Sequence, residues 1–349
     1  MNLNIDKSDL LNLTNIKLGL YKPIFSLSSL KEYNSILKFQ KTEKNFYSIP
    51  FNLYANKNIN LKVSEKVNLF YKKNFVGILN INEIFSPKLD QHNKKIYGTS
   101  SKNHLGVKYN CQKIKNKTNY LGGYFNLTNK KFLKKIFREN FKTIKEIKEI
   151  KDKKKYIIFS TRNIIHAGHN LIIEKLLKEK KKILIMILLS EKKKFKENIL
   201  KKFYSKFAQQ RKYQSKIIFK FLEIPTFFAG PREAAFQSKI FENLGFGYFY
   251  VGRDHAGYKN YYSKFSSQNF TKKLKLKIKI VGFNEPMYCS NCNATVFNEL
   301  KFRLRCKKCQ SNGLKTISGT KLRRNLKKSK NLNNLISDKH LNFIKKDLL

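Results

Sequence analysis

The feature that most restricts the fold of this chain is an alternation that begins after Lys155. Strand-like runs "YIIF", "ILIMILL", "IIFKFLEI", "YFYVG" and "LKIKIVGF" are separated by segments of helical period, among them "NLIIEKLLKEK" and "REAAFQSKIFENLG", the second stopped at Gly245. Near-continuous apolar runs suit strands buried on both faces, and their alternation with helices is the order of βαβ crossovers. The expected fold class is therefore α/β, with a doubly wound parallel sheet. Ligands of such sheets lie beyond the carboxyl ends of the strands. The two richest polar clusters, "STRNIIHAGHN" at 160–170 and "GRDHAG" at 252–257, each follow a strand.

The first 125 or so residues have a different texture. Short apolar runs cut by turn residues, "SIPFNLYA", "KVNLFY", "FVGILNI" and "YLGGYFNL", predict strands with few long helices, hence a β-rich N-terminal domain over 1–125. From 126 to 155 apolar residues recur at three- and four-residue steps among many charges, which predicts an exposed amphipathic helix acting as a connector. The domain boundary is placed inside it. No internal repeat is visible.

The 349 residues carry 74 Lys and Arg against 23 Asp and Glu, a formal net charge of +51. Such a balance either marks a phosphate-rich partner such as RNA, or reflects a codon bias toward lysine, asparagine, isoleucine, phenylalanine and tyrosine spread over solvated faces. The lysines are dispersed over the whole chain and form no single stripe, and in both cases anionic substrates are attracted. The N-terminus lacks the pattern of a signal peptide, and the longest apolar run, Ile183 to Ser190, is too short to span a bilayer. A soluble cytoplasmic protein with no membrane partner is expected.

Chemistry-bearing residues concentrate in a few places. His166 and His169 flank an Ala-Gly pair where a strand turns into a helix, so both imidazoles stand near a helix N-terminus, where phosphates and the charge of a departing pyrophosphate can be held. In "YVGRDHAG", glycines let the backbone approach a ligand while Arg253 offers its donor fork beside Asp254 and His255. "GPREA" opens a helix with Pro231 and places Arg232 and Glu233 in its first turn, a pair equally compatible with a structural or a catalytic task. Cys289, Cys292, Cys306 and Cys309 form two CxxC knuckles thirteen residues apart, the spacing of a closed, structural Zn2+ site. Ile317 to Leu326, "ISGTKLRRNL", reads as a loop entering a helix, with hydroxyls and arginines suited to phosphates.

These motifs together resemble the ATP sulfurylases, the sulfate adenylyltransferases that join sulfate to the α-phosphate of ATP and release pyrophosphate. The family's QTRNPxHxxH, GPREA, GRDHAG and SGTxxR are matched in order by "STRNIIHAGH", "GPREA", "GRDHAG" and "SGTKLR", and its GAFSPL, PIPITL and FGTxDxxHPGV by "GLYKPI", "SIPFNL" and "YGTSSKNHLGV". The "YC" before the cysteine cluster is also similar to bacterial and archaeal members. The resemblance implies a PUA-like N-terminal domain and a Rossmann-like nucleotidylyltransferase domain of HUP type over 156–315, with a zinc-knuckle insertion at 289–309 and a C-terminal helical segment over 316–349. It implies ATP, entering with Mg2+, and sulfate as substrates, and a homo-oligomer. By position, Arg162 would hold sulfate with Ser160 and the Ala256 amide, and Thr161 and Asn163 would act around the reacting phosphate. His166 and His169 would bind the ATP phosphates, while Gly252, Arg253, Asp254 and His255 would line the nucleotide site.

The chain departs from the family pattern at four of these positions. Ser160 stands where the family has glutamine, Ile164 where it has proline, and Gln237 and Phe241 where it has histidine and arginine on the helix after GPREA. Two other readings therefore remain: a nucleotidylyltransferase with a different acceptor, and a degenerate basic zinc-ribbon protein that binds RNA. No GxxxxGK[ST] loop occurs, so a fused kinase for the product is not expected.

Overall fold

The computed structural model describes residues 1–42, 45–56, 58–115, 118–179, 182–190, 197–209, 216–299 and 313–317. In its N-terminal part a mixed sheet runs in the order β1-β3-β4-β5-β2, formed by β1 (Asn2–Asn4), β2 (Leu53–Ala55), β3 (Lys66–Tyr71), β4 (Asn74–Phe85) and β5 (Asn119–Leu127). The expected apolar runs supply β2 to β5. Helices are more prominent than the sequence suggests: α1 (Lys7–Lys17), α2 (Leu30–Phe39), α3 (Leu89–Tyr97) and α4 (Leu105–Ile114) pack around the sheet. In α2 the reason is local. Ser29 caps the helix by accepting the Glu32 N–H at 3.2 Å, and Tyr33, Ile36 and Leu37 bury one narrow face, too short a stripe to stand out by period alone.

The segment expected as an exposed connector forms α5 (Lys130–Ile136) and α6 (Arg138–Glu149), and α6 is only half exposed. Its buried Asn140 donates to the Glu223 carbonyl and to Asn15 Oδ1, both at 2.8 Å, and accepts the Glu223 N–H at 2.6 Å; Thr143 donates to the Phe221 carbonyl at 2.7 Å. Those backbone groups belong to the edge strand of the second sheet, so polar side chains of α6 satisfy an edge that would otherwise be open.

That second sheet is parallel throughout, in the order β10-β9-β6-β7-β8. Its strands are β6 (Tyr156–Thr161), β7 (Lys182–Leu189), β8 (Ile217–Glu223), β9 (Tyr248–Tyr250) and β10 (Lys279–Val281), connected through α7 (Ala167–Lys178), α8 (Glu197–Ala208), α9 (Pro231–Asn243) and α10 (Ser266–Lys272). In β7, Ile183, Ile185, Ile187 and Leu189 enter one core while Leu184, Met186 and Leu188 enter the other, which is why its sequence reads as an unbroken apolar run. A small antiparallel sheet follows, with β11 (Pro286–Cys289) between β12 (Ala294–Phe297) and β13 (Leu314–Thr316).

Arg232 joins the two parts of the molecule. Although neighbours in "GPREA", Arg232 and Glu233 part company: the Arg232 guanidinium is buried and donates to the carbonyls of Ile36 (3.2 Å), Leu37 (2.6 Å) and Ser48 (2.9 Å). Burial pulls its pKa down to about 10, which leaves it charged at neutral pH. The expected result for Arg232→Ala is a loss of about 3 kcal/mol, because three buried acceptors lose a charged donor. The shift of the urea midpoint measures it.

Candidate active site

Strands β6 and β9 are adjacent and parallel, with Ile157 opposite Tyr248 and Phe159 opposite Tyr250. The chain leaves β6 toward β7 on one side and returns to β9 on the other, so the loops after β6 and β9 flank the switch point of the sheet. In the first loop His166 is the N-cap of α7: its Nδ1 accepts the His169 N–H at 3.3 Å. The two imidazoles stack, with centroids 3.6 Å apart and planes 19° from parallel. Burial, reinforced by His166, holds the pKa of His169 well below the ordinary histidine value, against a hydrogen bond to the Ile164 backbone. Two rings so close do not both take a proton readily. The buried His169 Nδ1 has no hydrogen-bond partner among the described residues.

Arg162, from the same loop, is oriented by α9. Its Nη2 donates to Glu233 Oε1, and the Glu233 side chain is fully buried. The other oxygen, Oε2, accepts the backbone N–H groups of Phe227 (3.2 Å) and Ala229 (3.3 Å). One turn along α9, Gln237 Nε2 donates to Glu233 Oε1 at 3.3 Å, while its Oε1 meets His255 Nε2 at 2.8 Å and accepts from Ser160 Oγ at 3.3 Å. Burial first, then Arg162, push the His255 pKa down to about 3, so this imidazole is neutral at physiological pH. Deeper in the loop, Thr161 and Asn163 bond to each other, and the Asn163 carbonyl accepts the Tyr204 hydroxyl of α8 at 2.6 Å.

The loop after β9 is tightly built. Ala256 has φ 58°, a left-handed conformation unfavourable for a residue with a Cβ, and its carbonyl accepts the Gly230 N–H at 3.1 Å. At Gly257 a Cβ would come within 2.6 Å of Asp254 Oδ1, so a larger residue there would push that carboxylate aside. Phe265 N–H bonds the Arg253 carbonyl at 2.8 Å, and Ser267 Oγ the His255 carbonyl at 2.9 Å. Arg253 Nη1 donates to the buried Glu285, which also lies 3.7 Å from Lys264 Nζ. Burial raises the Asp254 pKa, with Arg253 pulling it back.

The structure thus places Ser160 and Thr161 at the end of β6, Arg162, Asn163 and His166 in the loop after it, His169 in the first turn of α7, and Gly252, Arg253, Asp254, His255 and Ala256 in the neighbouring loop after β9. Glu285 and Tyr204, which orient Arg253 and Asn163, are missing from the residues singled out in the sequence; Glu285 is 32 residues from its arginine and belongs to no motif. A separate cavity of about 290 Å³ lies between the N-terminal helices and the tips of β7 and β8, where Asp6, Asp9, Tyr54, Lys113 and Thr226 line it and none of the two-loop residues does. Cys289 is buried at the end of β11 and Cys292 is exposed in the turn before β12. Cys306, Cys309, the loop at 318–326 and the C-terminal segment lie outside the described residues. Among the described residues no group of three or more His, Cys, Asp and Glu is arranged to hold a metal, and no helix is long and apolar enough to cross a membrane.

A family model described as ATP-sulfurylase matches residues 135–342, and one described as a PUA-like domain matches residues 1–130. The chain belongs to the ATP-sulfurylase family. Similar curated proteins are named sulfate adenylyltransferase. That of Ignicoccus hospitalis is 28% identical over 95% of this chain and 86% of its own length; that of Carboxydothermus hydrogenoformans is 28% identical over 95% and 88%, and that of Pyrococcus abyssi 26% over 92% and 83%. Among solved structures, a hexameric APS kinase from Thiobacillus denitrificans shares the fold, with a TM-score of 0.68 at 11% identity over 99% of this chain and 63% of that one. As a member of the ATP-sulfurylase family this chain is an enzyme, a nucleotidyltransferase of the sulfate adenylyltransferase class.

The buried neutral histidines make a sign prediction. Between the ordinary value of about 6.5 and the native value of about 3, the unfolded chain binds a proton at His255 that the native state refuses. Stability should therefore fall as pH drops below about 6.5, at up to about 1.4 kcal/mol per pH unit from this group. Urea unfolding at pH 7.5 and 5.5 measures the slope, which should be shallower in His255→Asn.

Proposed function

We propose that the two-loop cleft at the tips of β6 and β9 joins sulfate to the α-phosphate of ATP, forming adenosine 5'-phosphosulfate and pyrophosphate. One observation carries this reading: a carboxylate-oriented arginine and a stacked imidazole pair at a helix N-terminus stand on one loop, beside a second loop that carries its own held arginine. Two anions can then meet in one place.

In the mechanism a sulfate oxygen attacks the α-phosphorus in line, the new S–O–P linkage forms, and the bond from phosphorus to the bridging oxygen breaks. No side chain becomes a nucleophile, so the protein contributes placement and charge stabilisation. Arg162, held by Glu233, binds sulfate with the Ala256 amide as a further donor, and Ser160, whose hydroxyl donates to Gln237, stands at the edge of the same subsite. Thr161 and Asn163 shape the wall around the reacting phosphate. His166 and His169, with the N-terminal amides of α7, take the β- and γ-phosphates and the charge that grows as pyrophosphate leaves. Gly252, Arg253, Asp254 and His255 line the nucleotide. Mg2+ enters with ATP as part of the substrate.

The division of labour along the chain follows the same reading: a PUA-like domain over 1–125, a connector over 126–155, the catalytic domain over 156–315 and a closing segment over 316–349. A Zn2+ held by Cys289, Cys292, Cys306 and Cys309 fits the described half of its site. Cys289 and Cys292 sit on a tight hairpin, and Leu314, five residues after Cys309, pairs with Cys289 across β11 and β13, so the chain returns beside the first knuckle. The metal would hold the hairpin and take no part in the reaction. A homo-oligomer and a cytoplasmic setting complete the assignment; the solved chain that shares the fold is described as hexameric.

Pyrophosphate release from ATP, with and without sulfate, tests the assignment. Arg162→Ala and His166→Ala should each lower kcat/KM by about 10²–10³-fold with the fold intact. Release indifferent to sulfate but stimulated by another anion would favour a different acceptor. Full activity in His166→Ala, with tight salt-dependent RNA binding, would favour the zinc-ribbon alternative. Metal analysis should find about one zinc per chain, lost in Cys292→Ser.

A further inference from the structure

Ser160 and Gln237 are two positions at which the sequence departs from the family motifs, and the folded chain puts them in contact. Gln237 is 1% exposed, and its carboxamide is used at both ends. The amide orientation is dictated by its surroundings. Glu233 Oε1 can only accept, so it takes the Gln237 NH₂. Gln237 Oε1 is then left to accept from Ser160 Oγ and from His255 Nε2. A flipped amide would set oxygen against the Glu233 carboxylate. His255 is accordingly the tautomer with its proton on Nε2, and Ser160 points its hydroxyl proton at Gln237, so that the hydroxyl oxygen's remaining role toward a ligand is limited.

We propose that Gln237 is a positioning residue for the acceptor: its carboxamide ties Arg162 (through Glu233), Ser160 and His255 into one oriented set, and so determines the affinity for sulfate without touching ATP. This rests on the assignment of Arg162 to sulfate. The same Glu233 oxygen receives both the arginine and the glutamine, so loss of the Gln237 donor frees that oxygen and lets the Arg162 fork rotate. The paired histidines, by contrast, are built by the N-cap of α7 and by ring stacking, and among the described residues the hydrogen bonds of Gln237 go to Glu233, Ser160 and His255.

The experiment is steady-state kinetics on the full chain, following sulfate-dependent pyrophosphate release. Gln237→Met keeps the length and packing of the side chain and removes all three hydrogen bonds. It should raise KM for sulfate about tenfold or more, while KM for ATP, coupled to the amide only through His255, rises far less. Ser160→Ala should raise it less. The double variant Ser160→Ala/Gln237→Met should be no worse than Gln237→Met alone, because both changes break one unit. Gln237→Asn, which retains a carboxamide one methylene short, serves if Gln237→Met does not fold, and should also raise KM for sulfate selectively. A wild-type protein without sulfate-dependent release would overturn the assignment of the site itself. An active wild type whose glutamine variants keep their KM for sulfate, or raise both KM values together with a fall in melting temperature, would overturn the positioning role alone.

Discussion

The site depends on one buried carboxylate. Glu233, with no exposed side-chain surface, gathers the Arg162 guanidinium, the Gln237 amide and two backbone N–H groups of the 227–229 turn. An ion so placed is tolerated because every lone pair has a donor, and removing one partner from such a pair typically costs about 3–5 kcal/mol. Through it the strand tip of β6, the turn before α9 and α9 itself take up one arrangement. Arg162 therefore waits for its ligand already oriented, and little conformational entropy is lost when an anion arrives.

The same device recurs at the neighbouring loop, where Glu285 holds Arg253. In a chain with 74 basic and 23 acidic residues, carboxylates are the scarce charge. The basic excess draws anions toward the surface as a whole, which affects rate of encounter more than selectivity. Selectivity needs fixed cations, and a fixed cation needs a buried acid behind it. The long-range arginine contact of the opposite kind is Arg232, whose charge is spent on three carbonyls of the N-terminal part. That contact anchors α9, and with it Glu233, against a second domain.

Much of this was legible in residue order. The parallel strands follow from apolar runs buried on both faces, and β7 shows the reason in its alternating assignment to two cores. The two polar loops could be located because parallel sheets present ligand sites at their carboxyl ends. The N-terminal helices were harder to see, since α2 buries only three residues and depends on its Ser29 cap. Charges dominate the connector's pattern and predict an exposed helix, yet Asn140, a polar residue with no periodic signature, is among its most buried positions.

Local pattern was sufficient for the order of strands and helices, for the imidazole pair at a helix start and for the glycine-bounded arginine loop, since each depends on neighbours within a few residues. The choice of partners required the folded chain. That Arg232 faces away from the site while Glu233 enters it, that Glu285 stands behind Arg253, and that Ser160, Gln237 and His255 form one hydrogen-bonded unit are contacts across 18 to 196 residues. No sequence period encodes such distances; they arise only when sheet and helices pack and buried polar groups must find one another.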